Sequence, residues 1–327
     1  MLDHEGFGPT GIRKAHTLLA VPAAVPGRDY AAVIAASVLW GTSFPAMALA
    51  LGQGRDAIDP FLLTAVRLGL AALLSLAVLA ATRRLHPALF RSRWVWILGA
   101  LNALAFVLQH IGVSWNGSAA KTALLVNVNL VFVALLAVRM FGDRLTAARS
   151  LALVFALSGL LALTTRLDPA FFTQQEFRGD VFILLSSLAW TPYILYTKVA
   201  VKEHPPVDLA CGLLIVTAIL LLPTLLVADL RTPVPAGGWW GIAYLGLAVT
   251  VLPILLYTYT MKRVSATTVT ILTLIEVLLG AALGVLLLGE AFVAAQVAGA
   301  ALLLIGIALA VKAESAARAL DAAATPP

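Results

Sequence analysis

Glu276 stands in the middle of an apolar run, residues 266–288, and Arg67 stands inside another, residues 60–81. A charged side chain at the centre of a bilayer costs at least ~2.5–3.5 kcal/mol, so such residues call for a partner or a function. A carboxylic acid in such a place can take up and release a proton as its surroundings open and close. That is the chemistry of a coupling site. The competing reading is a structural ion pair with Arg67 or with Lys121, near one end of the run 119–138. At about 100° per helical residue, Thr273, Gly280 and Gly284 fall within about 80° of Glu276. The Gly280–Gly284 spacing favours close helix contact on that side.

Polar and aromatic side chains elsewhere form stripes. Asn102, Phe106 and Gln109 share one side of residues 94–115, with His110 about 80° further round. Ser186, Trp190, Tyr193 and Thr197 share a side of residues 179–200, and Thr250, Pro253 and Tyr257 a side of 239–260. Aromatic bodies with polar tips suit a cavity for amphipathic or cationic molecules. Helix packing is the alternative reading for each. The candidate site is Trp40, Asn102, Gln109, His110, Asn129, Trp190, Tyr193, Tyr257, Thr273 and Glu276, with Arg67 and Lys121 as charge partners. Asn127 projects about 160° away from Asn129 on a regular helix and ranks below it.

Other chemistries lack their residues. No lysine follows a glycine, so the core of a phosphate-binding P-loop is missing. Cys211 is the single cysteine, and the five histidines have no metal-site spacing. No aspartate lies mid-run and no HExxH motif occurs, so the expectation is a non-enzyme without cofactor or metal.

The elements that must position these residues follow from composition. Of 327 residues, 61% are hydrophobic and 12% charged, against ~45–50% and ~25% in soluble domains. Ten runs are long enough to cross a bilayer as helices: 30–51, 60–81, 94–115, 119–138, 148–165, 179–200, 208–230, 239–260, 266–288 and 294–312. The connections are too short for an extramembrane domain. Residues 1–29 and 313–327 read as tails.

Lys and Arg set the orientation. With the N-terminus inside, sixteen of the twenty-two fall on inner segments and five on outer ones. By the positive-inside rule both termini are cytoplasmic, and the net charge of +6 reflects topology rather than nucleic-acid binding.

The chain also repeats with a period of about 147 residues. Gly142-Asp143-Arg144 and Gly159 align with Gly289-Glu290-Ala291 and Gly306; Gly99 aligns with Gly246, and Asn129 with Glu276. Trp40 and Trp190 align at a slightly larger shift. Residues 30–165 and 179–312 thus each hold five spans, and an odd number inverts the second copy. Arginine follows topology, since it surrounds the first glycine–acid turn and is missing from the second. Inverted repeats are a signature of secondary transporters, whose sites lie at the midplane between halves.

These residues resemble the EamA-type drug/metabolite transporters: Leu39-Trp40-Gly41-Thr42-Ser43-Phe44 in the first span, Pro60 to Arg67 in the second, the two glycine–acid turns, and Gly159 and Gly306. The resemblance covers roughly residues 30 to 312 and implies an exporter of amino acids, related metabolites or amphipathic compounds. A phosphorylated-sugar or nucleotide-sugar exchanger of the same fold, and a channel, are the alternatives. The expected fold is an all-α integral membrane protein of ten transmembrane helices in two inverted five-helix repeats. The expected partners are a small-molecule substrate, the bilayer and protons as coupling ion. Abundant alanine and sixteen arginines against six lysines point to a GC-rich bacterial genome, hence the plasma membrane. One departure stands out. The family often carries a proline in its fourth and ninth spans, whereas here Val277 follows Glu276 and Leu130 follows Asn129, leaving no residue to kink either helix.

Overall fold

The apolar runs fold as helices. The computed structural model describes residues 26–43, 46, 58–116, 119–142, 146–172, 177–231, 234, 238–288 and 293–324, and among these there is no strand. The first half comprises α1 (Gly27–Gly41), α2 (Pro60–Ala81), α3 (Arg93–Asn116), α4 (Ala119–Val126), α5 (Asn129–Phe141) and α6 (Ala147–Thr165). The second comprises α7 (Phe177–Ala200), α8 (Pro206–Leu221), α9 (Gly238–Gly246), α10 (Leu252–Met261), α11 (Ala266–Thr273), α12 (Ile275–Leu288) and α13 (Ala294–Ala324). Helix ends carry local signals. Asp59 accepts from the Phe61 and Leu62 amides ahead of Pro60, and Thr146 and Ser265 cap α6 and α11. Gly142 ends α5 at φ 69°, a left-handed conformation that a side chain would oppose.

Among the described residues nine stretches are long and apolar enough to span a bilayer. The first expected span is described only through α1 and a few residues beyond, and the tail 1–25 and the two glycine–acid turns beyond Gly142 lie outside the described residues. Two bounds differ from expectation. The seventh span leaves the α-helix at Leu221 for a 3₁₀ turn, Leu222–Leu226, because Pro223 removes a donor. The last helix continues past residue 312 to Ala324, since Glu314 and Arg318 are docked against the bundle rather than solvated.

Helix contacts come in matched pairs. α3 packs on α7 as α10 packs on α1, and α5 packs on α7 as α12 packs on α1. α3 meets α8 as α9 meets α2, while α2–α8, α6–α13 and α5–α11 cross between the halves. Exchanging the halves maps α2–α8 and α6–α13 onto themselves and each matched pair onto its mate, whereas α5–α11 has no equally close counterpart between α12 and α4. Glycines show the matching at atomic scale. A Cβ on Gly159 would lie 2.5 Å from Leu303 N and 2.7 Å from Gly299 O, and one on Gly306 2.7 Å from Ala156 N and 3.0 Å from Ala152 O. Each neighbour is the repeat counterpart of the other. Between helices in lipid the hydrophobic drive is weak, and such close backbone contact supplies the packing instead.

The fourth and ninth spans are broken, without proline. Leu130 N bonds Asn127 O at 3.1 Å and Val131 N bonds Val128 O at 3.1 Å; Leu274 N bonds Ile271 O at 3.2 Å and Val277 N bonds Leu274 O at 3.0 Å. These are i–3 bonds, so one tightened turn separates α4 from α5 and α11 from α12. Carbonyls loosened by the breaks find side chains: Asn127 Nδ2 donates to Ala123 O at 2.8 Å, and Thr273 Oγ1 to Thr270 O at 2.7 Å. The eighth span holds a third irregularity, a π-helical turn at Leu247–Val251 just before Pro253.

At one end of the bundle the loop between α10 and α11 is held from three sides. Lys198 donates to Met261 O and Val264 O at 2.7 and 2.6 Å, and Asp29 pairs with Arg263 at 3.2 Å. Glu314 accepts from Ser265 N at 3.0 Å and Ser265 Oγ at 2.6 Å, and pairs with Arg149 at 3.2 Å and Arg318 at 3.3 Å. Hydrogen bonding to Tyr259, with the Asp29 carboxylate nearby, holds the Arg263 guanidinium above its ordinary value.

Candidate functional site

Both helix breaks open onto a cavity of 160 Å³ between the halves. Asn127 and Asn129 reach it from the first break, and Thr273 and Glu276 from the second. Gly41 brings α1 against the second break: a Cβ there would lie 2.9 Å from Glu276 O and 2.9 Å from Leu279 Cβ. Any side chain would push α1 away and carry Trp40, which also lines the cavity, with it.

Aromatic rings make most of the remaining wall. Trp40 leans on Tyr257 at 5.7 Å between ring centroids, and Trp190 meets Tyr193 edge-on at 5.1 Å and Phe106 at 5.3 Å. Trp190 Nε1 donates to Gln109 Oε1 at 3.2 Å, fixing the amide. The apolar bodies thus stay packed while polar tips face inward, the arrangement expected of a small-molecule site.

Arg67 belongs to this wall. Only 4% of its surface is exposed. Its guanidinium lies 5.1 Å from the Phe106 ring centre, and Nε donates to Thr250 Oγ1 at 3.0 Å. The π-helical turn sets Thr250, whose hydroxyl donates five residues back to Leu245 O at 2.7 Å. The expected pairing of Arg67 does not occur: among the described residues no carboxylate lies within salt-bridge distance of it, Glu276 included. Phe106 and Thr250 hold it at depth instead. Glu276 has the Asn127 amide beside its carboxyl. Asn129 Oδ1 and the Tyr257 hydroxyl are buried with no hydrogen-bond partner among the described residues.

Eight of the ten residues proposed from the sequence therefore meet around one cavity: Trp40, Gln109, Asn129, Trp190, Tyr193, Tyr257, Thr273 and Glu276. Two do not line it. Asn102 is fully buried, and its Oδ1 accepts from Thr217 Oγ1 at 3.3 Å. His110 turns to Thr64 and stacks on Phe106 at 5.8 Å. The Lys121 side chain lies outside the described residues. Asn127 was placed too low by the helical projection, which assumes an unbroken helix; the tightened turn swings it to the Asn129 side. Thr250 was visible only as a member of a stripe.

Residues 29–165 and 177–312 both match the EamA-like transporter family. An uncharacterized transporter of Archaeoglobus fulgidus is 31% identical over 205 residues, which is 62% of this chain and 71% of that protein. The uncharacterized transporter YwfM of Bacillus subtilis is 26% identical over 284 residues, 84% of this chain and 90% of that one. A crystal structure that shares 19% identity superposes with a TM-score of 0.73, over 89% of this chain and 99% of the other, and so shares its fold.

Proposed function

Because this chain belongs to the EamA-like transporter family, we propose that it is a secondary active transporter that exports a small metabolite by alternating access. Its multi-pass bundle sits in a bacterial plasma membrane with both termini cytoplasmic, and it works as a carrier rather than an enzyme. One observation carries the reading: a cavity walled by aromatic rings and polar tips lies where two broken spans meet. Discontinuous helices at the interface of repeats are the usual place for transporter substrate and ion sites.

The matched helix contacts and the reciprocal glycine crossings support ten spans in two inverted repeats, 30–165 and 179–312. Related halves can then rock about α6–α13 while the cavity opens alternately to each side. Glu276, at the second break, is the coupling group. It takes a proton from one side and gives it to the other as the cavity switches.

The cavity also bears on the substrate. Its wall is mostly aromatic and apolar with a few polar tips, which suits a small metabolite with an apolar body. Only one cation, Arg67, is described on its wall, whereas a phosphorylated sugar calls for several.

Counterflow in proteoliposomes over a metabolite panel tests transport, and Glu276→Gln tests coupling. The Gln variant should fold, keep exchange, and lose at least ~10-fold of pH-gradient-driven uptake. Gradient-driven uptake equal to the parent's would show that the proton is carried elsewhere.

A further inference from the structure

The geometry points to Arg67 as an anion seat: the ligand of the central cavity carries a carboxylate bound to its guanidinium, and it binds together with a proton on Glu276. This inference rests on the transporter reading for its consequence, and on the cavity alone for its evidence.

A guanidinium has five N–H donors in a fixed fork and stays charged in proteins. Arg67 uses Nε on Thr250 and lays its face toward Phe106. Among the described residues its two terminal amino groups meet no acceptor, although 96% of the residue is covered and it lines the cavity. A buried cation with a vacant fork is costly unless an anion completes it. Carboxylates match that fork with two parallel bonds. Phe106 and Thr250 hold the group from its face and its edge, so it is orientated before the ligand arrives.

Charge balance brings in Glu276. Moving an uncompensated charge through a low-dielectric bundle is expensive, so each moving form should be close to neutral. The empty cavity is neutral with Arg67 charged and Glu276 ionised. A bound monocarboxylate adds one negative charge, which a proton on Glu276 cancels. Ligand and proton therefore bind together. A zwitterion would instead leave Glu276 ionised against its ammonium group.

The other groups near Glu276 do not replace that proton. Tyr193 of α7 and Tyr257 of α10 are phenols on the same wall, and His110 of α3 is engaged with Thr64 and stacked on Phe106, outside the cavity lining. α1 and α6, which flank α12, bring Arg28, Asp29, Tyr30 and Arg149 only at the far end, where Arg263 holds Asp29 and Glu314 holds Arg149. α11 has no titratable side chain, and the Lys121 side chain of α4 lies outside the described residues.

The test is calorimetric titration of the full chain in detergent with phenylacetate and benzoate, their amides, and phenethylamine and benzylamine. The carboxylates should bind at least ~10-fold tighter than the amides and the amines. Arg67→Gln should lose that preference, and Arg67→Lys should keep part of it. At about pH 8, titration in buffers of different ionisation enthalpy should show about one proton taken up per carboxylate, and none in Glu276→Gln. If no carboxylate outbinds its amide, or the amines bind best, Arg67 is not an anion seat. Carboxylate binding without proton uptake would leave the seat and remove the proton. Should Arg67→Gln fail to fold, the ligand series on the parent still decides. Binding as described without exchange of any panel member in proteoliposomes would sink the transport reading and leave the seat standing.

Discussion

The break between α4 and α5 and the break between α11 and α12 are one backbone event at two repeat-related positions, built from different chemistry. At the first, Asn127 supplies an amide to the loosened Ala123 carbonyl, and Asn129 opens the next helix. At the second, the counterpart of Asn127 is Leu274, which has no hydrogen-bonding side chain, and Glu276 takes the place of Asn129. The backbone breaks anyway. The turn is therefore imposed by how the helices cross, with side chains only settling its loose carbonyls. The repeat keeps the geometry in both halves and puts the ionisable group in one. The two breaks are thereby alike in backbone and unlike in charge.

The largest test of that comparison moves the carboxylate from one break to the other. Glu276→Asn alone should lower pH-gradient-driven uptake in proteoliposomes at least ~10-fold, and adding Asn129→Glu should restore part of it. A glutamate at 129 would open α5 as Glu276 opens α12, in the first turn, where the helix dipole favours it. A double variant as inactive as the single one would mean that the two breaks are alike only in backbone.

Much of this bundle is legible in the sequence. Run length places the nine spans among the described residues, and the repeat register aligns Asn129 with Glu276. The breaks are not legible, because Asn127, Val128, Leu274 and Ile275 include neither proline nor glycine. An angle computed on a regular helix then misplaces Asn127. Arg67 misleads for a related reason. Its charge suggests pairing with Glu276, and only the fold brings Phe106 and Thr250 of two other spans to hold it inside. His110 shows the converse error: a stripe gives an angle, and Thr64 decides where the ring goes.

A second test asks whether the halves are equivalent where they pack. Gly159→Ala and Gly306→Ala should each lower thermal stability by about 1–3 kcal/mol, since each added methyl meets backbone and not the end of a flexible side chain. Gly69→Ala is the control, because a Cβ there has nothing within 4 Å. Similar losses for the first two, with no loss for the third, would locate the shared crossing. A large loss at one and none at the other would mean that the crossing is not twofold.

The smallest expected effect isolates the break itself. Asn127→Leu copies the residue that the second half uses at the equivalent place, with little change in volume. The variant leaves Ala123 O without its amide donor and takes the Asn127 amide away from Glu276. Losing a buried side-chain hydrogen bond costs ~0.5–1.5 kcal/mol, so the melting temperature should fall by a few degrees. If helix crossing sets the break, the turn persists, the cavity keeps its lining, and ligand exchange in counterflow continues within about threefold of the parent. If the asparagine amide sets it, α4 and α5 join into one regular helix. Asn129 then rotates away from Glu276, and exchange is lost along with stability. Thermal unfolding and counterflow measured on the same preparation separate these outcomes: a modest melting shift with exchange retained assigns the break to the fold, and loss of both assigns it to one side chain.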